Sequence, residues 1–142
     1  MQTIEQEQYV ELGIGHETYA IRIQAIHEII KMQEVTQIPN AMAYLKGVIN
    51  LRGKIIPVIS LRNLFGLMEE EYTKFTRIVV VNHAAETVGI IVDRVNKVTN
   101  LSDIQPPPDC VGGISGNYFA GIGITSHGLV GILKLEEVLL SN

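Results

Sequence analysis

An all-β fold of two small five-stranded barrels packed side by side is predicted by three observations. β-branched residues are in excess, the chain repeats itself, and two-residue alternation is broken by glycine turns. Isoleucine (20) and valine (14) together give 34 residues against 12 leucines, a bias that suits the pleated sheet better than the helix. A shift of 69 places Tyr9-Val10-Glu11-Leu12 on Ile78-Val79-Val80-Val81, Glu17-Thr18 on Glu86-Thr87, and Ile23, Ile26 and Ile29 on Val92, Val95 and Val98. Further on the shift becomes 74: Tyr44 meets Tyr118, Gly47 meets Gly121, and Ile55 to Ile59 meets Leu129 to Leu133. The change is a five-residue insertion in one loop. The copies run over about 8–66 and 77–140, joined by a glutamate-rich linker at about 67–76. Each is too small for a stable core alone, so the two are expected to share a buried face within one domain of 142 residues.

In the first copy, strands are expected at roughly 8–14, 18–23, 26–31, 47–51 and 55–59. Tyr19, Ile21 and Ile23 alternate with Ala20 and Arg22, the mark of a strand with two unlike faces. Arg52-Gly53 reads as a two-residue hairpin turn in which Gly53 supplies the positive φ. Ser60 is placed to cap a short helix through Leu67, and Glu136 and Glu137 open a terminal helix. Closure into barrels would remove the edges that so many short strands expose. Three consecutive prolines make Gln105 to Asp109 an extended loop.

Composition narrows the functional classes. With 11 Lys+Arg against 15 Asp+Glu, the charge is −4, unfavourable for nonspecific nucleic-acid binding. The apolar runs Ile78 to Val81 and Val88 to Val92 are too short to span a bilayer, and Met1 to Gln8 is too polar for a signal peptide. The expectation is a cytoplasmic protein. His27-Glu28 and His16-Glu17 begin like zinc-protease helices but meet Lys31 and Ala20 at the fifth position. Cys110 has no second cysteine for a disulfide or a thiolate zinc site. Gly13-Ile14-Gly15 and Gly121-Ile122-Gly123 lack the third glycine and long helix of a dinucleotide site, and Ser115 lacks the spacing of a nucleophile elbow. Glu69, Glu70 and Glu71 read as a solvated face. No catalysis, metal or cofactor is expected.

The repeat supplies a different lever, because whatever the fold alone requires should occur in both copies. Lys46, Arg52, Lys54 and Arg62 of the first copy match Ala120, Ser126, Gly128 and Glu136 of the second, a charge of +4 against −1. Arg52 at a turn tip can offer its fork of donors to a partner's carboxylate.

The segment Lys46-Gly47-Val48-Ile49-Asn50-Leu51-Arg52-Gly53-Lys54-Ile55-Ile56-Pro57-Val58-Ile59 resembles the signature of the CheW family of adaptors, which couple chemoreceptors to the histidine kinase CheA. The likeness continues in Thr87 to Asp93 and Gly121 to Gly123 and covers about 8–140. It implies two SH3-like barrels and a free-standing adaptor, without the receiver or kinase domains that accompany this module elsewhere. Matched position by position, the resemblance puts Arg52, Ile26, Glu28, Ile29, Val88 and Gly89 on the receptor-facing groove. Val35, Gln37, Ile38 and Lys46 fall on the face for the kinase's regulatory domain, and a second, ring-closing kinase contact falls at Gln105, Cys110 and Val111. Cys110 departs from the family there, being smaller than the bulky apolar residue expected, and Ser60 stands where the family often has Asp. The resemblance implies a scaffold holding the receptor tip and the kinase; the alternative is a β-barrel that binds a small ligand in the cleft between barrels.

Overall fold

The computed structural model describes residues 7–39 and 44–140; most of the polar N-terminal stretch, residues 1–6, lies outside them. The first half forms β1 (Gln8–Ile14), β2 (Glu17–Arg22), β3 (Ile26–Lys31), β4 (Leu45–Leu51), β5 (Lys54–Ser60) and α1 (Leu61–Leu64). The second forms β6 (Arg77–His83), β7 (Glu86–Val92), β8 (Arg94–Asn100), β9 (Ile104–Gln105), β10 (Cys110–Val111), β11 (Ile114–Ser115), β12 (Phe119–Thr125), β13 (Gly128–Leu133) and α2 (Leu135–Leu140). The predicted helix after Ser60 is one turn rather than two. Asn63 N–H donates to Ser60 Oγ at 3.2 Å, but the chain turns at Gly66, where φ is +74°. The proline loop begins as a short strand, and the small β10–β11 ribbon has no counterpart in the sequence expectation.

Strands cross between halves. One sheet runs β8-β1-β2-β13-β12-β9 and the other β3-β6-β7-β5-β4, so each half lends its first hairpin to the other half's sheet. The exchange is doubled with matching registers. β2 runs parallel to β13 with Ala20 opposite Ile132, and β7 runs parallel to β5 with Gly89 opposite Val58; shifts of 69 and 74 carry one pair onto the other. Leu12 opposite Val95 and Val81 opposite Ile26 correspond in the same way. Ser60 N–H donates to the Tyr44 carbonyl and Lys134 N–H to that of Tyr118, again at equivalent places.

Both sheets curl. β8 and β9 are consecutive in the chain yet sit at opposite ends of their sheet. In the other sheet, Thr36 just beyond β3 bridges Val48 of β4, the far edge, through two hydrogen bonds of 2.9 Å. The lent strands lie at the centre and are covered on both faces. One face of each packs into a shared core that includes Leu12, Tyr19, Ile21, Val79, Ile90, Phe65 and Phe119. The other faces fill the separate interiors of the curled sheets, Ile56, Val58, Ile78 and Val80 in one and Tyr9, Ala20, Leu101, Val130 and Ile132 in the other. Burial on two sides explains why Ile78 to Val81 is an unbroken apolar run rather than an alternating one.

Candidate functional site

The β4–β5 hairpin, closed by Arg52-Gly53, ends in a turn with both central residues left-handed, Arg52 at φ +52° and Gly53 at +86°. This is the primed turn that matches strand twist. Gly53 accepts that conformation freely; Arg52 holds it at a cost of about 1 kcal/mol. The Asn50 side chain steadies the turn, its Oδ1 accepting from Gly53 N–H at 2.8 Å. The Arg52 guanidinium donates through Nη2 to both carboxylate oxygens of Glu28 on β3 at 2.7 Å, while its side chain stays 65% exposed. In a flat sheet β3 and β5 would lie about 14 Å apart, three strand spacings. The pair therefore depends on the curl.

The other three cations of the first copy are also engaged from within. Lys54 Nζ donates to Thr87 Oγ1 at 3.1 Å, and Thr87 in turn to Asn82. Lys46 pairs with Glu69 of the linker. Arg62 is folded inward, only 14% exposed, donating to Asp93 from Nε at 2.9 Å and Nη2 at 2.5 Å. This corrects the sequence-based picture of a free cationic face. Carboxylates 23 to 31 positions away in the chain balance three of the four charges, and Arg62 serves the fold. Arg52 alone combines a turn tip with high exposure.

Around Arg62 the packing is tight and polar. Asp93 also accepts from Gly15 N–H at 2.7 Å, Arg94 donates to the Gly15 carbonyl, and Arg62 Nη1 donates to the Met68 carbonyl. Burial pushes the Asp93 carboxyl upward, but the Arg62 and Gly15 hydrogen bonds with the Arg62 and Arg94 charges outweigh it, leaving Asp93 below its ordinary value. The bond to Asp93 raises Arg62 in turn. Hydrogen bonds from Lys46 and Asn63 lower Glu69.

The nominated residues separate by burial. Ile29 is 38% exposed, Ile26 and Glu28 are half-buried, and all three share β3. Val88, 7% exposed, belongs to the shared core. Gly89 has no free space, since an added Cβ would lie 2.8 Å from Ile78. Both pack within the chain, on β7 at the centre of the sheet that carries β3 and the Arg52 hairpin. Val35, half-buried, packs partly against the interior of its sheet; Gln37 and Ile38 are exposed. Val35, Gln37 and Lys46 line a groove of about 500 Å³ together with Met32 and Tyr72. Tyr72, on the linker, borders both this groove and the larger cleft, and nothing in the sequence singled it out, because pairing of the linker with strand residues leaves no periodic signal. Gln105, on β9 at the edge of the six-stranded sheet, and Cys110, on the separate β10–β11 ribbon, are exposed, and Val111 is half-buried. A larger cleft of about 1080 Å³ lies between Gly15, Arg62, Asp93 and the linker. Among the described residues no cluster of three His, Cys, Asp or Glu is placed to hold a metal ion, and no helix is long and apolar enough to cross a membrane.

The family model for the CheW-like domain matches residues 8–142. The chain is 40% identical over 134 residues to a chemotaxis protein CheW of Helicobacter pylori, covering 93% of this chain and 81% of that one. It is 40% identical to a chemotaxis protein CheW of Treponema pallidum, covering 96% and 84%. Among solved structures it resembles the scaffolding protein TtCheW from Thermoanaerobacter tengcongensis with a TM-score of 0.90 and 34% identity, over 99% of this chain and 92% of that one.

Proposed function

The chain belongs to the CheW-like domain family, and from that premise we propose that it is a chemotaxis coupling scaffold joining chemoreceptors to the histidine kinase CheA. Its work is geometric rather than catalytic. Holding both partners together raises their effective concentration, and it biases a two-state kinase to the extent that one state is bound more tightly. The location is the cytoplasm, with recruitment to receptor arrays at the membrane.

The observation that carries the receptor assignment is Arg52, exposed at a hairpin tip and held by a single carboxylate, Glu28. An arginine in that state can exchange or share its fork with an acidic group on the receptor tip, while the neighbouring Ile26 and Ile29 offer apolar contact to a helix of the bundle. Val88 and Gly89 support this face from behind. The kinase's regulatory domain docks on Val35, Gln37, Ile38 and Lys46, and Gln105, Cys110 and Val111 form a second kinase contact. The small-ligand alternative is not favoured: Arg62, a cation on the lining of the larger cleft, is already engaged by Asp93 and Glu70.

The test is a pair of titrations with a purified receptor cytoplasmic fragment and the CheA regulatory domain. Arg52→Glu should lose receptor binding, keep kinase binding and cost no more than about 1 kcal/mol, the scale of the exposed ion pair with Glu28 that it breaks. Ile38→Glu should do the reverse; it is preferable to a Val35 variant because Ile38 is 42% exposed and Val35 is partly core. Unfolding of Arg52→Glu, or equal loss of both partners in either variant, overturns the assignment.

A further inference from the structure

The linker between the halves is pinned rather than loose. Glu69 takes hydrogen bonds from Lys46 on β4 and from Asn63 at 3.1 Å, and the Met68 carbonyl accepts from Arg62 Nη1 at 2.9 Å. Those contacts set the place where Tyr72, 52% exposed, becomes a wall of the groove that holds Val35, Gln37 and Lys46. The apolar lining comes from both sides, Met32 and Val35 from the segment that follows β3 and Tyr72 from the linker. Lys46 is neutralised by Glu69, so the charge left on the lining is that of Glu34, which is exposed.

We infer that the linker is part of the kinase-docking face, with Tyr72 as an apolar anchor opposite Val35 and Glu34 as its acidic rim. This rests on the kinase assignment above and extends it. The occupant is the kinase's regulatory domain, presenting an apolar side chain to the groove with a lysine or arginine beside it. Two features support that choice: the groove is continuous with the face formed by Gln37 and Ile38, and its residual charge is negative. A tyrosine held at a groove rim provides a large contact area at low entropic cost, the usual property of an interface hot spot.

The experiment measures affinity of the full chain for the CheA regulatory domain and, separately, for the receptor fragment. Tyr72→Ala is expected to weaken kinase binding about tenfold, the scale of a moderate hot spot, with receptor binding and melting midpoint unchanged. Phe75→Ala, which removes a 59% exposed aromatic of the same linker that lines the other cleft, should leave both affinities unchanged. Glu34→Lys should slow kinase association and flatten its dependence on salt. If Ile38→Glu abolishes kinase binding and Tyr72→Ala does not alter it, the linker inference fails and the kinase face stands. If neither has an effect, the kinase face itself is wrong. If Tyr72→Ala weakens both partners, or Phe75→Ala acts as strongly, the linker is a general prop and the inference is overturned.

Discussion

Around the shared core, Tyr19, Phe65, Tyr118 and Phe119 stack and tilt against one another with ring centroids 5.5 to 6.0 Å apart. The matched positions in the other half are Val88, Leu139, Tyr44 and Leu45. The same contrast holds for charge: Arg62 and Asp93 pair on the aromatic side, while their counterparts, Glu136 and Gln24, cannot. Strand exchange and register are alike in the two halves. One seam is sealed by four rings and an inward ion pair; at the other, Val88, Leu139 and Leu45 replace three of the rings and only Tyr44 keeps one. Asymmetry between copies therefore has two sources. Some of it is assigned to docking by proposal, and some marks the division of stability between the seams, as the inward Arg62–Asp93 pair shows.

The comparison can be broken at its largest feature first. Phe65→Ala removes a 9% exposed ring from the aromatic seam and should cost about 4 kcal/mol, whereas Leu139→Ala, half-buried at the matched place, should cost about 2 kcal/mol. Urea unfolding of both variants measures the gap, and equal losses would mean the seams are not divided in this way. The next contrast is between Gly47, at φ +145°, where a Cβ would lie 2.0 Å from the Thr36 carbonyl oxygen, and Gly121, where it would first meet a movable Ile104 methyl at 2.7 Å. Gly47→Ala strains the backbone and pushes apart the Thr36–Val48 bridge, for about 3 kcal/mol; Gly121→Ala should cost about 1 kcal/mol. Amide exchange at Thr36 and Val48 reports whether the bridge has opened.

A smaller effect sharpens the charge contrast. Asp93→Asn leaves Arg62 with only the exposed Glu70 as an anionic partner and should cost about 2 kcal/mol at neutral pH, while Gln24→Ala at the exposed matched position should change stability by less than about 0.5 kcal/mol. Because Asp93 titrates below its ordinary value when folded, its contribution is complete above the unfolded carboxylate value, about 3.9. It is lost as pH falls through the lower folded value. The difference between the parent chain and Asp93→Asn should accordingly shrink below about pH 4. A constant difference down to pH 2 would show that packing, not charge, is what Asp93 supplies.

Much of the local architecture was legible in the chain. The strand through Tyr19 to Arg22, the hairpin at Arg52-Gly53 and the cap at Ser60 all depend on residues within a few positions of one another, although that strand is buried on both faces and the chain leaves it at Ile23 in a 3-10 turn. Of the positions proposed for the receptor, Arg52 and Glu28 meet at the surface and Ile29 is exposed on the same strand as Glu28, whereas Val88 and Gly89 are packed within the chain. A resemblance names positions without saying which face of the strand they take. The free cationic face was over-read. A count of matched charges does not include the carboxylates that folding brings alongside, and Tyr72 had no periodicity to nominate it.

By itself the sequence determined the strand content, the turns, the doubling of the motif and the family to which the chain belongs, since each is written in neighbouring residues or in a contiguous motif. Only the tertiary structure decided which strands are neighbours, that each half lends its first hairpin to the other, that Arg52 meets Glu28 and Arg62 meets Asp93, and that the linker walls a groove. Side-chain period specifies the two faces of a strand but not its partner. Partner choice comes from burying two apolar faces at once, a requirement that can be met only when strands 31 residues apart, as Val58 and Gly89 are, and 112 apart, as Ala20 and Ile132 are, come into contact.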